Sequence, residues 1–266
     1  MNYKVKGTYD LLPEEAIKWE YVTNKLKEIF KKYNYKEIRT PIMEYSEVFH
    51  REGEFSDMVQ KETYNFVDKG NRNITLRPEA TAGIMRSVIE NKSYAQNDIL
   101  KYYYIGPNYR YERPQKGRFR EFYQFGIEAI GLKSPYVDAE VIMLASDIIT
   151  EFGLDGVLIK LNSLGDNESR LRYQKVLEEY FNSHKTGLCN DCQVRLDNNP
   201  LRILDCKIDG PKDIVKNAPK SIDYLTDNSK LHFEKVLKVL DENKINYEID
   251  HNLVRGIDYY SETVFE

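Results

Sequence analysis

Two aromatic and β-branched stretches, ILKYYYIGPNYRY (99–111) and EFYQFGIEAIG (121–131), flank a polar run of nine residues, ERPQKGRFR (112–120). Residues of that kind favour strands. So short a connection joins antiparallel neighbours, because parallel strands need a crossover of a dozen or more residues. The chain must therefore build a sheet around a long antiparallel pair.

The other segments fit around that pair. Pro13 opens the helical pattern PEEAIKWEYVTNKLKEIFKKY, with acids in the first turn and lysines at the far end. Its apolar face is predicted at Ile17, Tyr21, Leu26, Ile29, Phe30 and Tyr33. YKEIRTPIME (35–44) reads as a strand interrupted at Pro41, which places it on a sheet edge or at an interface. TYNFVDKGNRNITLRP (63–78) reads as a hairpin turning at Lys69 to Asn73, and a helix follows from Glu79 to Glu90. Further helices are expected over 137–152, 167–181 and 230–243, with strands at 157–164 and 246–250. LVRGIDYYSETVFE (253–266) is expected to begin a new hairpin. Hairpins outnumber βαβ units, so the fold class is α+β: an antiparallel β-sheet flanked by helices. Residues 183–229 hold all three cysteines and three of the nine prolines, with only short helical patterns. They read as a small inserted subdomain between a core of 1–182 and its return over 230–266.

Composition excludes several classes. A hydrophobic share of 41% and a charged share of 31% suit a folded globular chain. No apolar run approaches the ~18 residues of a membrane span, and the N-terminal residues show no signal-peptide core, so a cytoplasmic location is expected. An odd number of cysteines argues for a reducing compartment. Cys189-x2-Cys192, with Cys206 and nearby His184, can be read as a zinc site. With one Cys-x-x-Cys pair and irregular further spacings, free thiols are the favoured reading, and no protein-held metal is expected. His50, His232 and His251 show no catalytic or metal spacing.

The formal net charge is −4, yet Lys101, Arg110, Arg113, Lys116, Arg118 and Arg120 face only Glu112 within 101–120. Guanidinium groups match phosphate bidentately, and Arg110, at a strand end, would be held rigidly enough to stabilise charge at a phosphoryl centre. A solvated basic loop is the plainer alternative. Two features favour the phosphate clamp: Gly117 permits close approach, and Gln124 and Glu128 share one face of the next strand. Glu79 opens a helix where a carboxylate is favoured, with the Thr81 hydroxyl in the same turn. Arg255-Gly256, Asp258, Tyr259 and Tyr260 form a tight turn before the last strand.

Together these segments resemble the histidyl-tRNA synthetase family of class II aminoacyl-tRNA synthetases. GTYDLLP (7–13) is similar to that family's opening signature, the first helix through Pro41 to motif 1, and YRYERPQKGRFREFYQFGIEAIG to motif 2. LVRGIDYYSETVFE is similar to its histidine-specific segment, and NNPLRILDCK resembles bacterial members. The resemblance implies the class II catalytic fold and ATP-dependent activation of L-histidine, followed by transfer to tRNA(His), with Mg2+ accompanying ATP. It gives Arg110 the α-phosphate, Arg118 the distal phosphates and Glu112 the adenine; Arg110 and Arg255 would be catalytic. Glu79 and Thr81 would bind the histidine ammonium, Gln124 would place the amino acid, and Glu128 with Tyr260 would recognise the imidazole. Arg255 would reach the carboxylate, Tyr259 would line the pocket, and motif 1 would form a homodimer. Family members continue past the position of Glu266 into motif 3 and an anticodon-binding domain, so weak or absent activation is expected of this chain alone. The rival reading is the non-catalytic regulatory paralogue of ATP phosphoribosyltransferase. An intact run through Arg255, Tyr259 and Tyr260 favours the synthetase.

Overall fold

A computed structural model of the chain describes residues 3–50, 57–95, 99–113, 115–254 and 260–266, in two compact units that divide between Lys133 and Ser134.

In the first unit, α1 (Pro13–Lys32) carries Glu14 and Glu15 in its first turn and Lys31 and Lys32 in its last, each favourable to the helix dipole. Tyr33 caps it and Asn34 takes φ 61° to leave the helix. Pro41 then splits the predicted strand in two. Its first half, β1 (Lys36–Glu37), and its second, β2 (Met43–Tyr45), enter different sheets. After α2 (Asp57–Lys61) come β3 (Tyr64–Val67) and β4 (Asn73–Leu76), which with β2 make a sheet in the order β2-β4-β3. The β3–β4 turn is organised by Asp68, whose Oδ1 accepts from Gly70 N at 2.8 Å and Arg72 N at 3.0 Å. Next are α3 (Thr81–Glu90), β5 (Leu100–Tyr109) and β6 (Glu121–Ile130). β5 and β6 pair antiparallel along their whole length, from Leu100↔Ile130 to Tyr109↔Glu121, while β1 lies parallel to β5.

That register divides the sheet into two faces. On one, Tyr103, Phe125 and Tyr123 meet α1: Phe30 stacks on Tyr103 at 4.7 Å and lies 6.2 Å from Phe125, and Trp19 lies 5.1 Å from Tyr123. Leu26, Ile29 and Phe30 are buried there, whereas Ile17 and Tyr21, predicted on the same apolar face, are 68% and 59% exposed. On the other face Tyr102, Tyr104, Gly106 and Asn108 oppose Glu128, Gly126, Gln124 and Phe122. The start of α3 packs there through Ala80, Ile84 and Val88 against Leu100, Tyr102 and Tyr104.

The second unit opens with α4 (Pro135–Glu151), capped by Ser134, and continues through β7 (Ile159–Ser163) into α5 (Asn167–Ser183), capped by Asp166. α6 (Asn190–Asn198) and α7 (Asp213–Lys216) follow, then α8 (Asp227–Glu242), capped by Thr226, β8 (Tyr247–Ile249) and β9 (Thr263–Phe265). Among the described residues β9 forms no local hairpin; it pairs antiparallel with β7, and β8 lies parallel on β7's other edge. Ile142, Leu161, Phe233 and Val236 bury the contact of α4 and α8 with this sheet. Residues 183–229 contain no strand among those described, and their Leu188, Cys192, Ile203 and Val215 share a core with Tyr173, Leu177 and Phe181 of α5.

Close packing on the β5–β6 floor requires glycine at position 126. A Cβ on Gly126 would lie 2.4 Å from the hydroxyl oxygen of Tyr104, whose ring crosses directly over it. Gly126→Ala is expected to cost about 1–3 kcal/mol, read as a lower urea midpoint for the first unit.

Candidate functional site

The face of the β5–β6 ribbon that α1 leaves free carries the candidate residues of the first unit. Period-two alternation puts Phe122, Gln124 and Glu128 on it from one strand and Asn108 from the other, and chain continuation sets Arg110 at the strand end. The start of α3 meets this face. Glu79 does not begin that helix as predicted; it lies two residues before Thr81 and caps it. Its Oε1 accepts from Ala82 N at 3.0 Å and its Oε2 from Thr81 N, satisfying two of the donors every helix start leaves open. Thr81 in turn donates its hydroxyl to Oε1 of Glu128 at 2.7 Å. Glu79, Thr81 and Glu128 thus form one connected group.

Glu128 is the electrostatic centre of that group. Burial pushes its carboxyl up to about 7; the negative charge of Glu79 adds to the rise, and the hydrogen bond from Thr81 opposes it. A carboxyl so placed exchanges its proton near neutral pH and accepts strongly from any N–H donor brought to it.

Asn108, wholly buried, donates from Nδ2 to Oε1 of Gln124 at 2.5 Å. That fixes the Gln124 amide and leaves its own N–H groups to be offered elsewhere. Sequence reasoning passed over Asn108, although its alternation with Arg110 on one strand face was the available signal. Phe122 was missed as well: its ring lies 5.1 Å from the guanidinium of Arg110, a cation–π contact.

The two arginines expected to meet phosphate differ. Arg110 donates from Nε to the Pro78 carbonyl at 2.9 Å and has no salt-bridge partner among the described residues. Burial lowers its pKa, with Glu112, Glu62 and Glu79 pulling the other way. It is a desolvated cation with bonding capacity to spare. Arg118 is half exposed and held by Glu112 at 3.0 Å. The loop they share is clasped by the N-terminal segment: Arg120 N donates to Gly7 O at 2.8 Å, and the Tyr9 and Phe119 rings lie 5.0 Å apart. Tyr9, Arg110, Glu112, Arg118 and Phe122 line a cleft of about 370 Å³.

Arg255 and Tyr259 lie outside the described residues. Tyr260 belongs to the second unit, where it packs against the core around Leu164 and Tyr173. That unit also gathers the three cysteines, expected as separate thiols, around Asp209: the ligand atoms of Cys189, Cys192, Cys206 and Asp209 lie within 4.8 Å of one another.

The family model described as histidyl-tRNA synthetase matches residues 7–179. The histidine–tRNA ligase of Acholeplasma laidlawii strain PG-8A is 57% identical over all of this chain and 64% of its own length. That of Halothermothrix orenii strain H 168 is 53% identical over 98% of this chain and 62% of its own length. The structure of apo S. aureus histidyl-tRNA synthetase superimposes with a TM-score of 0.80 at 43% identity, covering 100% of this chain and 61% of that one. The chain therefore spans a little under two thirds of the relatives it matches.

The raised Glu128 carboxyl has a stability consequence. Its folded pKa lies above the ordinary 4.5, so its contribution is fully present below about 4.5 and is lost as the pH climbs through about 7. At about 1.4 kcal/mol for each tenfold change, ionising it in place costs about 3 kcal/mol. Glu128→Gln is expected to raise the melting temperature above pH 7 and to flatten the decline between pH ~4.5 and ~7.5, as scanning calorimetry would record.

Proposed function

The chain belongs to the histidyl-tRNA synthetase family, and on that premise we propose that it carries the histidine- and ATP-binding face of a histidine–tRNA ligase. The observation that carries this reading is the partly buried, desolvated carboxyl of Glu128, held by Thr81 beside the helix-capping Glu79. A desolvated acceptor of this kind suits an imidazole N–H, and a side chain lacking that donor would leave it unpaired, which is a strong basis for selectivity. Glu79 and Thr81 would take the α-ammonium, and Gln124, fixed by Asn108, would orient the amino acid.

In the proposed reaction an oxygen of the histidine carboxylate attacks the α-phosphorus of ATP. The bond to the bridging oxygen breaks, and histidyl-adenylate and pyrophosphate result. Negative charge grows at the α-phosphate, where a desolvated Arg110 with no salt-bridge partner among the described residues would stabilise it more than a solvated arginine could. Arg118 would leave Glu112 for the distal phosphates, freeing Glu112 for adenine. Mg2+ would enter on the triphosphate as part of the substrate. The roles that family resemblance gives Arg255, Tyr259 and Tyr260 belong to the same proposal, as do transfer to tRNA(His), with the basic loop available to phosphates, and a cytoplasmic location. Among the described residues no helix is long and apolar enough to cross a membrane.

A homodimer through the motif 1 region is also proposed. Supporting it, two large apolar side chains of α1, Ile17 and Tyr21, are 68% and 59% exposed, and two of β2, Met43 and Tyr45, are 60% and 47% exposed. Met43→Glu is expected to shift the sedimentation coefficient from dimer to monomer without lowering the melting temperature.

Calorimetry with histidine and ATP titrated separately tests the function. Histidine binding abolished by Glu128→Ala, and ATP binding weakened at least tenfold by Arg110→Ala, are expected. Binding of neither substrate would refute the reading, and histidine binding with no response to ATP would favour the regulatory paralogue.

A further inference from the structure

The cysteine cluster of the second unit has a regularity that cysteine spacing alone conceals. Cys189 and Cys192 are separated by two residues, and so are Cys206 and Asp209. The two x2 turns face each other, and the four ligand atoms converge within 4.8 Å. We propose that Cys189, Cys192, Cys206 and Asp209 form a closed tetrahedral zinc site that staples residues 187–212.

Several independent features support it. The Sγ atoms of Cys189 and Cys206 are 3.9 Å apart. A disulfide would require about 2.05 Å, whereas the edge of a tetrahedron with ~2.3 Å zinc–sulfur bonds is about 3.8 Å. All three cysteines are free, and Cys192 and Asp209 are fully buried. Each turn directs backbone N–H groups at its first sulfur. Asp209 N points at Cys206 Sγ at 3.4 Å, and Cys192 N faces Cys189 Sγ in the same way. Such donors orient and stabilise metal-bound thiolates.

The carboxylate is held in place from outside the cluster. Its Oδ2 accepts from Cys189 N at 2.9 Å and its Oδ1 lies 2.6 Å from Lys212 Nζ. Three thiolates and one carboxylate around Zn2+ carry two net negative charges, of which Lys212 offsets one. Gly210 closes the second turn, donating its N–H to Cys206 O at 2.7 Å; a Cβ there would lie 2.6 Å from that oxygen. Four protein ligands leave no open position for water, which is the pattern of a structural rather than a catalytic zinc. Soft sulfur donors select zinc over magnesium or calcium. The segment has reason to need it: α6 and α7 are 9 and 4 residues long and no strand accompanies them. Helices that short are marginal without tertiary support, and metal binding supplies folding free energy directly.

The test is metal analysis of the whole chain purified from zinc-replete cells, with cobalt titration of the reduced, metal-stripped protein. The expected results are a zinc-to-chain ratio near one, and visible tetrahedral thiolate–cobalt bands that saturate at one equivalent and vanish on adding zinc. Asp209→Ala should weaken cobalt binding at least tenfold, and Cys206→Ser should remove the bands. Chelation of the wild-type chain should lower its melting temperature, a reading independent of any variant's folding. A reduced wild-type chain that binds no cobalt, bands that persist in Cys206→Ser, or native protein isolated metal-free with a Cys189–Cys206 disulfide would overturn the proposal.

Discussion

A single hydrogen bond, from the Thr81 hydroxyl to the Glu128 carboxyl, joins the start of α3 to the face of the β5–β6 ribbon that carries the candidate site. Nearly every other feature of the first unit serves its geometry. Glu79 fixes the first turn of α3 by capping it, and Ala80, Ile84 and Val88 seat the helix on the ribbon. The ten-residue register of β5 with β6 then brings Glu128, Gln124 and Asn108 to one face. Gly126 gives Tyr104 room to lie across that face, and α1 covers the opposite one. Desolvating a partly buried carboxyl costs stability in the free protein, and such a cost is commonly found where a site must be ready for a ligand.

The strand pair was legible because its composition and short loop admitted one arrangement. Glu128 and Gln124 were legible too, since strand alternation alone puts them together. Pro41 was visible as a break, but not that its two sides join different sheets, because sheet membership depends on long-range pairing. The apolar stripe of α1 was read too widely. Periodicity marks Ile17 and Tyr21 as apolar but cannot tell whether the neighbour that covers them lies within the chain. Glu79 was expected as the first helical residue; its side chain competes for the N–H groups of Thr81 and Ala82, which keeps it outside the helix. Asn108 escaped notice because a buried amide matters through its partner, and Gln124 lies sixteen residues away.

The second unit illustrates a different limit. Counting cysteines makes three look irregular, because the fourth member of the cluster is an aspartate and the two turns are far apart in sequence. Only the fold brings them together, through a core that joins Cys192 and Cys206 to α5. Spacing searches confined to Cys and His miss sites in which a carboxylate completes the set.

The central claim is that the Glu128 carboxyl is what histidine meets. Its most direct test is the pH profile of histidine affinity, from about pH 5.5 to 7.5, for the wild-type chain and Glu128→Gln. The account predicts that wild-type affinity climbs more steeply than the variant's as Glu128 ionises, leaving it at least tenfold tighter at the upper end. Superimposable profiles would contradict it.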